Sequence, residues 1–296
     1  MKQTLVIGST VVDVYLSVPD LPRRGSDINI SAAEYRVGGC AYNVFKTLGV
    51  FKIPAVLCSP VGSGLYGRMV SEQLKAEGIN PFVVLERENG CCYCLIEPDG
   101  ERSFLSHHGA EYLFSRSWMR DIDFSITGDV FICGLEVEES TGNEIVEFVY
   151  EHSELEIYFA PGPRFEHIPA DRLERLLRRR DMRGKGPLIH LNEEEAARFS
   201  GKSGVREAAE FIARKTENSV VVTLGKNGCY CLEKAGNEGQ FVAGLPARVV
   251  NTVGAGDAHF GALIACLKNG LDLETACAEA NKTGAAIVSG LAGRVG

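Results

Sequence analysis

The 296-residue sequence has one tryptophan, six histidines and no apolar run near the roughly 20 residues that cross a bilayer. It has no Gly-x-x-x-x-Gly-Lys-Ser/Thr segment, so any nucleotide phosphates must be held by other means. Its first strand pattern is followed by Gly8-Ser9-Thr10 rather than Gly-x-Gly-x-x-Gly, which argues against a dinucleotide oxidoreductase. Positive charge is scarce: 31 Lys and Arg against 39 Asp and Glu give a formal charge of -8. That balance argues against nucleic acid or an anionic membrane as a partner. The basic cluster Arg178-Arg179-Arg180, with Arg183 and Lys185, ends an amphipathic helix pattern (Leu173, Leu176, Leu177), where cations complement the helix dipole. The chain runs from Met1-Lys2-Gln3-Thr4 straight into a strand pattern without a signal-like apolar region, so a cytoplasmic location is expected.

Ten cysteines are present, but they form no disulfide framework. Most sit inside apolar patterns, where a thiol behaves as a small buried hydrophobe. The one cluster is Cys91-Cys92-Tyr93-Cys94, a single Cys-x-x-Cys without a second pair to complete a structural zinc site. His107 and His108 keep zinc open as an alternative. In a strand, 92 and 94 face one way and 91 and 93 the other, so reduced thiols are expected.

Apolar strand patterns alternate with longer helical ones, the mark of βαβ units and a largely parallel sheet. Strands are expected at Leu5–Ile7, Ala55–Cys58, Val130–Cys133, Ile157–Phe159, Leu188–His190, Val220–Leu224 and Cys229–Leu232. Helices are expected at Cys40–Leu48, Gly67–Glu77, Asn143–His152, Asp171–Arg179, Glu193–Phe199, Val205–Lys215, Ala255–Lys268 and Leu273–Val288. The fold class is α/β: a doubly wound, mostly parallel sheet flanked by helices, as one domain over residues 1–296. Residues 14–37 and 90–108 break this rhythm with alternating polar and apolar positions, and are expected to form a small β flap over a substrate site. An exposed flap edge needs cover, which pairing of two flaps in a homodimer would supply.

Two glycine-containing turns carry the chemistry. Val253-Gly254-Ala255-Gly256-Asp257 precedes an apolar helix, so its backbone N–H groups lie at the positive end of a helix dipole. Asp257 there is either a cap or a base beside a phosphate. Upstream, Gly38-Gly39 opens a second helix with Asn43 about one turn in.

Together these segments resemble the paired signatures of the ribokinase-like, or PfkB-type, carbohydrate kinases, and the resemblance runs through nearly the whole chain. It implies an ATP-dependent kinase acting on a hydroxyl of a sugar or sugar-like metabolite. Asp257 would be the general base, and Gly254, Ala255 and Gly256 the anion hole. Asp13, in what looks like the family's opening strand, would hold substrate hydroxyls with Gly38, Gly39, Asn43 and Glu136. A carboxylate suits a diol because its two oxygens accept two donors. For Asp13 a solvated strand residue is the alternative, and for Glu136 a surface cluster with Glu138 and Glu139.

Pro98-Asp99-Gly100-Glu101-Arg102-Ser103-Phe104 looks like the family's lid hairpin, with Gly109-Ala110 after it. Asn192, Thr223, Gly225, Gly228 and Asn281 would bind the nucleotide. Glu195, in the family's Asn-x-x-Glu motif, would act on Mg²⁺ through water, although Asn192 and Glu195 also fit a capping box. Arg164 would cap a turn.

Some positions depart from the family pattern. Asn251 stands where many members carry an aspartate that helps bind a monovalent cation, so K⁺ use is in doubt. His259 stands where Phe is common. The chain ends soon after Gly290, so the tail that closes the cation and adenine sites is expected to be short. The runner-up is a nucleoside kinase of adenosine or pseudouridine type, with Tyr15, Tyr35, Tyr42 and Phe104 as stacking candidates. From another class, the alternative is a catalytically silent ligand-binding regulator on the same fold.

Overall fold

In the computed structural model residues 1–290 are described. Its strands are β1 (Gln3–Ile7), β2 (Val11–Ser17), β3 (Ala32–Gly38), β4 (Ala55–Cys58), β5 (Pro60–Ser63), β6 (Val83–Glu88), β7 (Cys91–Ile96), β8 (Arg102–His107), β9 (Thr127–Cys133), β10 (Glu156–Ala160), β11 (Leu188–Asn192), β12 (Val220–Thr223), β13 (Gly228–Leu232) and β14 (Gln240–Ala243). The helices are α1 (Cys40–Val50), α2 (Gly64–Ala76), α3 (Gly134–Glu138), α4 (Gly142–Glu151), α5 (Ala170–Arg178), α6 (Glu193–Ser200), α7 (Val205–Thr216), α8 (Ala255–Lys268) and α9 (Leu273–Val288).

Strands apolar at consecutive positions need cover on both faces, and the central strands have it. In β9, Val130 and Ile132 pack with α4, α5 and α7, while Phe131 and Cys133 pack with α1 and α8. The sheet runs β14-β13-β12-β11-β10-β9-β1-β4. Every pairing from β4 to β12 is parallel, and β13 and β14 add an antiparallel edge. The chain leaves β1 toward β4 on one side and later returns to β9 on the other. That reversal opens a crevice beyond the carboxyl ends of β1 and β9, where ligands of such sheets bind.

A separate four-stranded sheet, β3-β2-β7-β8, is built from the two segments that break the βαβ rhythm and extends beyond the first of them, back to Val11 and on to Gly38. β2 pairs antiparallel with β3 and parallel with β7, a junction between segments distant in sequence. Two features differ from expectation. Asp13 does not belong to the first strand of the main sheet: β1 ends at Ile7, Gly8 takes φ 154, and the chain re-enters extended structure at Val11 in the flap. The small parallel pair β5–β6 was not anticipated.

Candidate active site

Helix α8 begins at Ala255, and its N-cap is Gly254 at φ 75, a left-handed conformation that costs a side-chain-bearing residue energy. Asp257 is therefore not the cap: it lies within the first turn. Its Oδ2 accepts a hydrogen bond of 2.9 Å from Asn43 Nδ2 of α1. The two helices approach closely because Gly261 faces Thr47, whose Cβ would stand 2.8 Å from an added methyl. Burial raises the Asp257 carboxyl above the usual aspartate range, while the Asn43 amide and the Cys40 thiol pull it back. A carboxylate moved toward neutrality is a stronger base than a free aspartate.

Two cavities meet at this turn. The first, about 740 Å³, is lined by Asp13, Tyr15, Gly38, Asn43, Asn251 and Gly254, with Arg102 and Lys46 at its walls. The second, about 630 Å³, is lined by Thr223, Gly225, Gly228, Ala255, Gly256 and Asn281. Nothing stands within 4 Å of the space a side chain at Gly256 would fill, so the turn's backbone is open to an anion.

Asp13 is 8% exposed and its carboxyl is pushed up to about 7, by burial first and then by the neighbouring Cys92 thiol and Asp257 charge. Gly38 is required beside it, since a Cβ there would sit 2.3 Å from Asp13 Oδ2. Gly39, at φ 103, packs against the Ser9 carbonyl, where a Cβ would come within 2.5 Å. It shapes the turn without lining either cavity.

Glu136 is not part of a surface cluster: it is 1% exposed on α3, behind Gly8, and burial drives its carboxyl up to about 8. It lines neither cavity. Its neighbours are engaged elsewhere, Glu138 with Arg164 at 2.7 Å and Glu139 with His108 at 2.5 Å. Arg164 takes the N-cap position of the Phe165–His167 turn, where its carbonyl accepts the His167 N–H at 2.8 Å, while its side chain pairs with Glu138.

Asn192 ends β11 and caps α6. Its Oδ1 accepts the Glu195 N–H at 2.8 Å, and Glu195 Oε2 accepts the Asn192 N–H at 3.0 Å, a complete capping box. Glu195 Oε1 has no protein partner among the described residues. Burial raises this carboxyl, and the Asp257 charge adds to the effect, so the two acids share one neighbourhood.

Three further expectations can be set against the geometry. Asn251 lines the first cavity, and its Oδ1 accepts the Val253 N–H at 2.9 Å. Asn281 lines the second cavity, but its amide donates to the Val242 and Ala243 carbonyls at 3.1 and 3.2 Å, leaving little to offer a ligand. Of the stacking candidates only Tyr15 reaches the first cavity. Tyr42 is buried with its hydroxyl on Glu77, and Tyr35 and Phe104 are exposed. The expected short tail lies in residues 291–296, outside those described.

The sequence also left His259 without a role. Its Nδ1 meets His190 Nε2 at 3.0 Å and its Nε2 meets Asn281 Oδ1 at 3.1 Å, a buried chain under the second cavity. Burial holds the His190 ring neutral. Cys40, beside Asp257, was missed because nothing around Gly38-Gly39-Cys40 marks a thiol near a base.

A sequence profile of the pfkB family carbohydrate kinases matches residues 1–294. The uncharacterized sugar kinase YegV of Escherichia coli (strain K12) is 30% identical over 300 residues, covering 100% of this chain and 90% of that protein. Adenosine kinase from Sinorhizobium meliloti superposes with a TM-score of 0.81 at 18% identity, covering 97% of this chain and 94% of its own. Arabidopsis thaliana ribokinase complexed with ribose and ATP gives 0.76 at 21% identity, covering 97% and 92%. Those structural likenesses show a ribokinase-like fold.

Proposed function

Because the chain belongs to the pfkB family of carbohydrate kinases, we propose that it transfers the γ-phosphoryl group of ATP to a hydroxyl of a sugar or sugar-like metabolite. The observation that carries this reading is the place of Asp257. It lines neither cavity itself, but its hydrogen-bond partner Asn43 and the turn residue Gly254 line the first, and Ala255 and Gly256 beside it line the second.

Phosphoryl transfer asks a protein chiefly for positioning and charge stabilisation. The sugar lies in the first cavity, with Asp13 accepting its hydroxyl protons and Asn43 beside the reacting hydroxyl. Asp257 takes the proton of that hydroxyl as the phosphorus–oxygen bond forms. The N–H groups of the Gly254-Ala255-Gly256 turn receive the negative charge of the transferred group. The nucleotide occupies the second cavity against Thr223, Gly225 and Gly228. Mg²⁺ carried with the nucleotide would supply charge neutralisation. Asn192 and Glu195 would hold it through water, Glu195 through its Oε1. The flap excludes bulk water, which suppresses hydrolysis of the nucleotide. Two flaps meeting along β3 and β8, whose residues are largely exposed, would form a homodimer.

A sugar is favoured over a nucleoside because Tyr15 is the lone aromatic among the described residues lining the first cavity. A base would have one ring to stack on. The test is an ADP-release assay with MgATP across sugars, sugar phosphates, polyols and nucleosides, with and without K⁺. ADP release that depends on a sugar upholds the proposal. Release only with nucleosides moves the function to the runner-up. Ligand binding without release indicates a silent regulator.

A further inference from the structure

The cavity-facing side of the flap carries a donor set of which the proposed phosphoryl transfer uses only the Asp13 carboxylate. Asp13 of β2 stands opposite Cys92 of β7, and Tyr15 opposite Cys94. Alternation along β7 puts both thiols on the face that Asp13 and Tyr15 turn toward the first cavity. An oxygen of Asp13 and the two sulfurs lie within 4.8 Å of one another. Asp13 and Cys94 are buried and Cys92 is partly so, which separates this group from a solvated surface cluster. Ser106 of β8, opposite Cys92 in register, places its Oγ 3.6 Å from the Cys92 sulfur. All ten cysteines are free thiols.

Two thiols and a carboxylate form a donor set for borderline and soft cations. Mg²⁺ prefers oxygen ligands alone, so the cation of the kinase reaction does not compete for it. Zinc–sulfur bonds of about 2.3 Å in tetrahedral geometry hold sulfurs ~3.7 Å apart. Drawing in groups already within 4.8 Å asks only for side-chain rotation. Three protein ligands leave a fourth position for an exchangeable partner, unlike a closed structural site.

We propose that Asp13, Cys92 and Cys94 form a three-ligand site for one thiophilic divalent cation of the zinc class, with its fourth position open to the substrate cavity. Each coordinating thiol gives its proton to the buffer as the metal–sulfur bond forms. The consequence rests on the reading of Asp13 as a hydroxyl acceptor: the same carboxylate cannot hold sugar and metal together, so the cation excludes the sugar.

The full chain, reduced with a non-thiol phosphine and stripped of metal, is titrated with Co²⁺ and then Zn²⁺. A thiolate-to-cobalt charge-transfer band that saturates at one equivalent and is displaced by Zn²⁺ is expected. Cys92→Ser and Cys94→Ala should each weaken Zn²⁺ binding by at least the ~10-fold that even an outer-shell loss causes. Cys94 is fully buried, so Cys92→Ser, at a more open position, carries the test if the other variant fails to fold. Absence of the band, or an unchanged Zn²⁺ affinity in Cys92→Ser, overturns the site. In the kinase assay Zn²⁺ should raise KM for the sugar and leave kcat alone. Zn²⁺ binding with an unchanged KM upholds the cation site and removes Asp13 from the sugar contact, so the two readings fail separately.

Discussion

Asn43 Nδ2 lies 2.9 Å from Asp257 Oδ2, a bond that spans 214 positions of sequence. It joins the helix opened by Gly38-Gly39 to the helix opened by Gly254, and it sets the chemistry of the carboxylate. Burial favours the protonated acid, and the amide favours the ion. The balance leaves a carboxylate that holds its proton more tightly than a free aspartate and is fixed in direction.

Replacing Asp257 by Asn keeps the shape and removes the proposed base. Turnover should fall by roughly 10²–10⁴-fold while nucleotide affinity stays near wild type. Steady-state kinetics and an ATP titration check both halves. Turnover within a few-fold of wild type would leave Asp257 with a structural role only.

Asn43→Ala removes the donor that favours the ionised carboxylate, an interaction of about 1.5–3 kcal/mol for a hydrogen bond to a charged group. The proton affinity of Asp257 then rises. The acidic limb of the kcat/KM profile should move to higher pH, and a profile that keeps its position would show that the bond does not tune the base.

Gly254→Ala places a Cβ 2.9 Å from Asn43 Nδ2 at a backbone φ of 75. A left-handed alanine costs about 1–2 kcal/mol before any displacement of Asn43. Thermal unfolding should shift down, and kcat should fall more than KM rises, because the turn is asked to act on the transferred group. An unchanged kcat in a folded variant would remove the turn from that role.

Glu136 makes stability depend on pH. The folded chain holds its proton up to about pH 8, whereas the unfolded chain releases it near 4.5. Across that window the native state binds more protons, so the contribution is present at low pH and is lost as pH rises. Glu136→Gln cannot titrate, and its urea midpoint should vary less with pH than that of wild type. Parallel pH dependences would show that other groups set the slope.

Local features proved readable from sequence. Helices α8 and α9 run over the expected Ala255–Lys268 and Leu273–Val288 because their starts are marked chemically. Gly254 supplies the left-handed cap of α8, and Asp272 accepts the Thr275 N–H at 2.9 Å to cap α9. The capping box at Asn192 and Glu195 was legible for the same reason: its two bonds span three residues.

What depends on distant pairing was not legible from local pattern. The run from Leu5 to Asp13 looks like one strand, and only the break at Gly8 to Thr10 hands it from the main sheet to the flap. The hydrogen bond of Asn43 to Asp257 was not anticipated, since its partners lie 214 positions apart. The chain from His190 through His259 to Asn281 left no trace, since each residue reads locally as a lone polar group in an apolar element.

The closeness of α1 and α8 also bears on synthesis. A nascent polypeptide that has emerged as far as β14 already contains the flap, the Gly38-Gly39 turn and all eight strands of the main sheet. It lacks Asp257 and the Gly254–Gly256 turn, which arrive with the final helices. On the proposed reading, such an incomplete chain holds a place for the sugar but has no group to take its proton.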